Sequence, residues 1–138
     1  MSSSKSKIIV SLYLKGLNLN PTTVSKILDV DPTRAQRKGE TWETSSGRIV
    51  TYRIGMWSFC LESDEGNLSD LINQILEVFK GKEISLLDDI EESYWDIFLA
   101  KDVDKEGATF TSELSPDFLT MLAEFGLPVR LTFAAVNP

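Results

Sequence analysis

Hydrophobic residues recur along this chain with two spacings, one strand-like and one helical, and the switches between them mark out the elements. Ile8, Val10, Leu12 and Leu14 alternate with Ile9, Ser11, Tyr13 and Lys15, which predicts an opening β-strand. Gly16 to Asn20 read as a turn, and Asn20-Pro21 supplies a helix N-cap and first helical position. Val24, Ile27 and Leu28 follow at helical spacing, and Pro32 disfavours helical backbone at Asp31, so a helix is predicted over 21–30. The polar stretch from Thr33 to Glu40 reads as an exposed loop. Thr41 to Thr44 predict a short strand, Ser45-Ser46-Gly47 a turn, and Arg48 to Ile54 a strand with Val50, Tyr52 and Ile54 on one face. Gly55 marks a bend, after which Met56 to Glu62 continue as strand with Trp57, Phe59 and Leu61 on one face.

The second half starts with a turn over 64–67, where Asn67 is a suitable N-cap. Leu68, Leu71, Ile72, Ile75, Leu76 and Phe79 then form an amphipathic stripe that Gly81 ends. Glu83 to Ile90 fit either a loop or a short helix. Tyr94 to Lys101 alternate as a strand, with Trp95, Ile97 and Leu99 on one face. A charged turn over 102–107 and strand-like residues 109–111 lead to Ser115-Pro116, a second cap-plus-proline signal. Leu119, Leu122, Ala123 and Phe125 predict the face of a last helix, which Gly126 ends, and Val129 to Val136 close the chain as a strand.

One echo runs through this pattern. Leu19-Asn20-Pro21 with Val24, Ile27 and Val30 matches Leu114-Ser115-Pro116 with Leu119, Leu122 and Phe125, and Pro32 and Pro128 follow. Either the chain contains two related β-α-β halves, or two capped helices of similar length look alike. Both readings give an α+β fold: a single domain over 7–138 with about three helices packed on one face of a mainly antiparallel, ferredoxin-like sheet. Residues 1–6 read as a disordered lead.

Taken in order, several of these motifs resemble a bacterial family catalogued as a domain of unknown function. They are Leu19-Asn20-Pro21 after the first strand, Asp31-Pro32-Thr33, Lys38-Gly39-Glu40, the Trp57 strand, the helix from Leu68 to Leu76, and Leu114-Ser115-Pro116 through Gly126-Leu127. The resemblance covers nearly the whole chain and implies no activity. It carries a loose association with immunity proteins, which neutralise a toxin domain encoded beside them.

Composition narrows the chemistry. The 138 residues include no histidine and one cysteine, which removes the commonest general base and any intrachain disulfide. Cys60 lies in an apolar strand-like run and reads as a core residue. Lys5 and Lys7 precede an apolar stretch, but Lys15 ends it after seven residues, too soon for a secretory signal or a membrane span. A cytoplasmic protein is expected, with no membrane partner and no cofactor. The net charge of −7 argues against nucleic acid as a partner.

That charge is concentrated. Residues 82–106 hold nine carboxylates against three lysines, whereas residues 1–66 carry two more cations than carboxylates. Asp88, Asp89, Glu91 and Glu92 cluster, with Tyr94, Asp96, Asp102 and Asp104 beyond. The segment is either a solvated surface or a docking patch for a basic protein. Asp102 to Gly107, with Glu113, superficially resemble a calcium loop, but the alternating strand before them replaces the required helix, so no metal site is expected. Arg34, Arg37 and Lys38 are an alternative anion-binding loop, though without the glycine spacing of a phosphate-binding motif. The leading expectation is a non-catalytic binding protein, specifically an immunity protein that uses its acidic segment against a cationic toxin, such as a nuclease. The alternative is a small-ligand-binding or regulatory domain using the 34–38 loop.

Overall fold

The computed structural model describes residues 6–64, 68–84, 87–102 and 111–136. Among them the order is β1 (Ser6–Gly16), α1 (Pro21–Leu28), β2 (Arg34–Gln36), β3 (Thr41–Glu43), β4 (Ile49–Thr51) and β5 (Gly55–Ser63). Then come α2 (Leu68–Phe79), β6 (Glu92–Asp102), α3 (Pro116–Phe125) and β7 (Val129–Val136). Five strands pair in the order β2-β5-β1-β6-β7, and β3 and β4 form a separate two-stranded sheet. The fold is α+β with a mainly antiparallel, mixed sheet. β2 runs antiparallel to β5, whereas β6 and β7 are parallel and need α3 as their crossover.

β1 is the central strand, and Ile8, Val10, Leu12 and Leu14 are all buried, as the alternation requires. By contact the chain divides into two compact units. One comprises 1–11, 60–81 and 95–138, the other 12–59 and 82–94, and β1, β5 and β6 contribute residues to both.

The first unit is built on aromatic rings. Phe79 of α2, Trp95 of β6 and Phe125 of α3 meet edge to face, with centroids 5.4 to 6.0 Å apart. Such pairs contribute about 0.5–1.5 kcal/mol each beyond the area they bury. α2 buries Leu68, Leu71, Ile72, Ile75 and Phe79, five of the six residues in its predicted stripe. In the second unit, Trp57 of β5 is fully buried and its indole N–H donates to Ser25 Oγ on α1 at 3.1 Å. α1 also buries Pro21, Val24 and Leu28.

Several boundaries differ from the sequence expectation. The 33–40 segment contains β2, which pairs Arg34, Ala35 and Gln36 with Ser58, Trp57 and Met56. Its exposed, three-residue edge position leaves no apolar alternation to read. α1 stops at Leu28 because Asp29 takes a left-handed conformation, φ 54°, and the Lys82 ammonium donates to the carbonyls of Leu28 and Asp29. A cation there satisfies the last helical carbonyls. The 48–54 strand contracts to Ile49–Thr51. The described part of 83–90 forms no helix. Ser6, the last residue of the expected 1–6 lead, opens β1; the rest of that lead, the Asn67 cap, the 102–107 turn beyond Asp102 and residues 109–110 lie outside the described residues.

The echo does not extend to the helix faces. Both caps form: the Asn20 side chain accepts from Thr22 N and the Ser115 side chain from Phe118 N. But α1 buries Val24, whereas its counterpart Leu119 is half exposed. Ile27 is exposed, whereas its counterpart Leu122 is buried. α3 turns Phe118, Met121, Leu122 and Phe125 inward, correcting the predicted stripe of Leu119, Leu122, Ala123 and Phe125. The strands differ as well. β6 and β7 pair across α3, whereas β1 and β2 on either side of α1 are separated by β5. Shared capping chemistry, common to many helices, accounts for the similarity in sequence.

Candidate functional site

The carboxylate cluster occupies the run into β6. Asp88, Asp89 and Glu91 are exposed loop residues, and Glu92, also exposed, opens the strand. The backbone beneath them is held at two points. Glu91 N donates to Lys15 O at 2.9 Å, extending the pairing of β1 with β6. The Asp89 carbonyl packs so closely on Gly16 that a Cβ at residue 16 would collide with it. Asp89 itself has φ 64°, a left-handed conformation that Asp tolerates better than most side chains. Gly16 is therefore required for close approach, and the loop is seated rather than loosely tethered.

Behind the loop lies a small cationic nest. Lys15 Nζ donates to the Tyr94 hydroxyl at 3.3 Å and sits 5.4 and 5.8 Å from the Tyr94 and Tyr13 ring centroids. The two tyrosine rings are 5.1 Å apart. Tyr94 is thus buried and engaged inside the fold, so its ring offers little surface to a partner. Asp96 is half-buried, with Oδ1 sealed from solvent. The Asp102 side chain and Asp104 fall outside the described residues. The structure thus brings together four of the eight residues singled out for a basic partner: Asp88, Asp89, Glu91 and Glu92. The local sequence explains this. Tyr94 is drawn inward on β6, whereas the four carboxylates precede or open that strand and stay exposed.

The alternative anion loop is dispersed. Arg34 lies on β2, while Arg37 and Lys38 follow in the turn, and all three are exposed. Arg37 Nη2 donates to Thr22 Oγ1 at 2.6 Å, and its backbone N–H donates to Glu40 Oε1 at 3.0 Å. The Arg37 head is therefore used to tie the turn to α1.

The strands and turn of the β3–β4 ribbon are legible in the sequence, but its exposed aromatic surface is not. Trp42 pairs with Val50 and stacks on Tyr52, with ring centroids 6.4 Å apart and planes inclined by 21°. Trp42 remains 45% exposed and Ile49 71% exposed. Hydrogen bonds extend the ribbon at both ends: Gly39 N to Tyr52 O, Tyr52 N to Glu40 O, and Thr44 N to Arg48 O, each 2.8 to 2.9 Å. The available signal was a tryptophan isolated among polar residues, between turn signals, in strands too short to complete a second layer.

A groove of about 310 Å³ in the other unit is lined by Leu68, Ile97, Leu99, Leu114, Leu131 and Phe133, with Thr111 and Ser112 at its margin. Among the described residues, no three His, Cys, Asp or Glu side chains converge as a metal site, and no helix is long and apolar enough to cross a membrane.

The chain belongs to the family described as domain of unknown function DUF4279, whose family model matches residues 5–134. No curated protein and no solved structure matches it.

Proposed function

With membership of that family as the premise, we propose that the chain is a non-catalytic protein-binding module: a cytoplasmic immunity protein that neutralises a cognate cationic toxin domain. The observation that carries this reading is the seated loop of four exposed carboxylates, Asp88, Asp89, Glu91 and Glu92. Such a loop loses little conformational entropy on binding, because its backbone is already ordered. Its charge accelerates encounter with a basic surface and rejects acidic ones. Against a nuclease, the carboxylates would occupy the cationic cleft that otherwise receives phosphates.

The test is charge reversal. Replacing Asp88, Glu91 and Glu92 with Lys, and Asp89 with Asn to keep its left-handed backbone, abolishes protection of cells expressing the toxin encoded beside this chain, while the circular dichroism spectrum is retained. Protection equal to wild type by a folded variant overturns the site. The same partner associates with wild type more slowly as salt rises, because screening weakens steering between separated charges.

A further inference from the structure

The ribbon and the carboxylate loop belong to the same compact unit and carry opposite charge. Residues 34–53 present Arg34, Arg37, Lys38, Arg48 and Arg53 against Glu40 and Glu43, a local net of +3 in a chain of net −7. All five cations are exposed, and among the described residues none is in an ion pair. The same holds for Asp88, Asp89 and Glu91.

We infer that the β3–β4 ribbon docks the carboxylate loop of a second copy of this chain. Two features of the ribbon converge on an acidic protein surface as its occupant. Its charge complements the loop, which also carries half-buried Leu87 and Ile90 among its carboxylates. Its Trp42–Tyr52 stack supplies a stiff aromatic anchor, the kind of side chain that dominates binding energy when covered. Ile49 adds apolar area on the opposite face of the ribbon, since it is adjacent to Val50 and strand side chains alternate. Because every copy carries both surfaces, two ribbon-to-loop contacts related by a twofold axis close a dimer. Nucleic acid also has the negative charge, but it would have to approach a strongly acidic chain.

This inference stands apart from the immunity reading, since it concerns the protein without any toxin. The experiment is sedimentation equilibrium of the whole chain at about 0.1 M and about 1 M salt, between which the Debye length falls from about 10 to about 3 Å. Wild type is expected at twice the 15.5 kDa chain mass at low salt, shifting toward monomer at high salt. Asp88→Lys/Glu91→Lys is expected to be monomeric, and so is Lys38→Glu/Arg48→Glu. An equimolar mixture of these two variants is expected to dimerise again, because an unaltered basic ribbon then meets an unaltered acidic loop, and the contact between the two altered surfaces is no longer like-charged. A wild type that stays monomeric at every concentration overturns the proposal. So does a dimer that both variants retain, or a mixture that fails to recover. The two proposals also separate: the ribbon variant loses self-association but keeps toxin protection, whereas the loop variant loses both.

Discussion

Trp95 and Trp42 sit on β-strands of the same protein and have opposite fates. Trp95 lies on a long strand within the main sheet, and Phe79 of α2 and Phe125 of α3 close over it edge to face. Its exposure is zero. Trp42 lies on a three-residue strand of a two-stranded ribbon, stacked on Tyr52 and 45% exposed. The difference teaches that an aromatic residue becomes core only where a second layer faces it. A two-stranded ribbon has no second layer of its own and is marginal in isolation. What the ribbon exposes is surface available to another molecule.

The sharpest way to break this contrast is to delete the rings. Trp95→Ala is expected to destabilise by about 3–5 kcal/mol, since it leaves a cavity that Phe79 and Phe125 cannot fill. The midpoint of urea denaturation measures it, and a loss under about 1 kcal/mol would mean that the three rings are not the centre of this core. Gly16→Ala comes next, at about 1–3 kcal/mol, because the new methyl group must displace the Asp89 carbonyl. It should also weaken toxin protection without altering a single charge, and full protection would show that the seat of the loop does not matter. The smallest stability effect is expected for Trp42→Ala, within about 0.5 kcal/mol, as for other exposed positions. Its effect belongs instead in the dimer dissociation constant, which should rise about tenfold for the loss of an aromatic anchor. Equal denaturation midpoints for Trp42→Ala and Trp95→Ala would remove the contrast altogether.

Much of the architecture was legible as periodicity, because burial imposes it. β1, α2, β6 and β7 were read within a few residues of their ends, and α2 buries five of its six predicted stripe positions. Shorter elements were less legible for a physical reason. β2 is an exposed edge strand of Arg-Ala-Gln, and its pairing with β5 is a backbone matter that leaves no mark on side-chain pattern. The face of α3 was misread because Leu119, though apolar, remains half exposed, while Phe118 and Met121 do the packing. The candidate site was legible as composition but not as geometry. A run of carboxylates is visible in sequence; that Tyr94 leaves it for the interior depends on Lys15 and Tyr13, some eighty residues earlier. The ribbon was read as strand and turn, but its exposure depends on what does not pack against it, which no local pattern encodes.

Gly16 has a consequence for how such a surface can change over generations. It fixes the path of the 88–92 backbone from a neighbouring strand, while the side chains of Asp88, Asp89 and Glu91 are exposed. Substitutions at exposed positions usually shift stability by less than about 0.5 kcal/mol. The identity of those three residues can therefore be rewritten with little cost to folding, so long as the residue at 16 stays small and Asp89 is replaced only by a side chain that accepts its left-handed backbone. Recognition and foldability are then inherited separately: one glycine preserves the shape of the surface, and its neighbours are left to diverge with whatever they must meet.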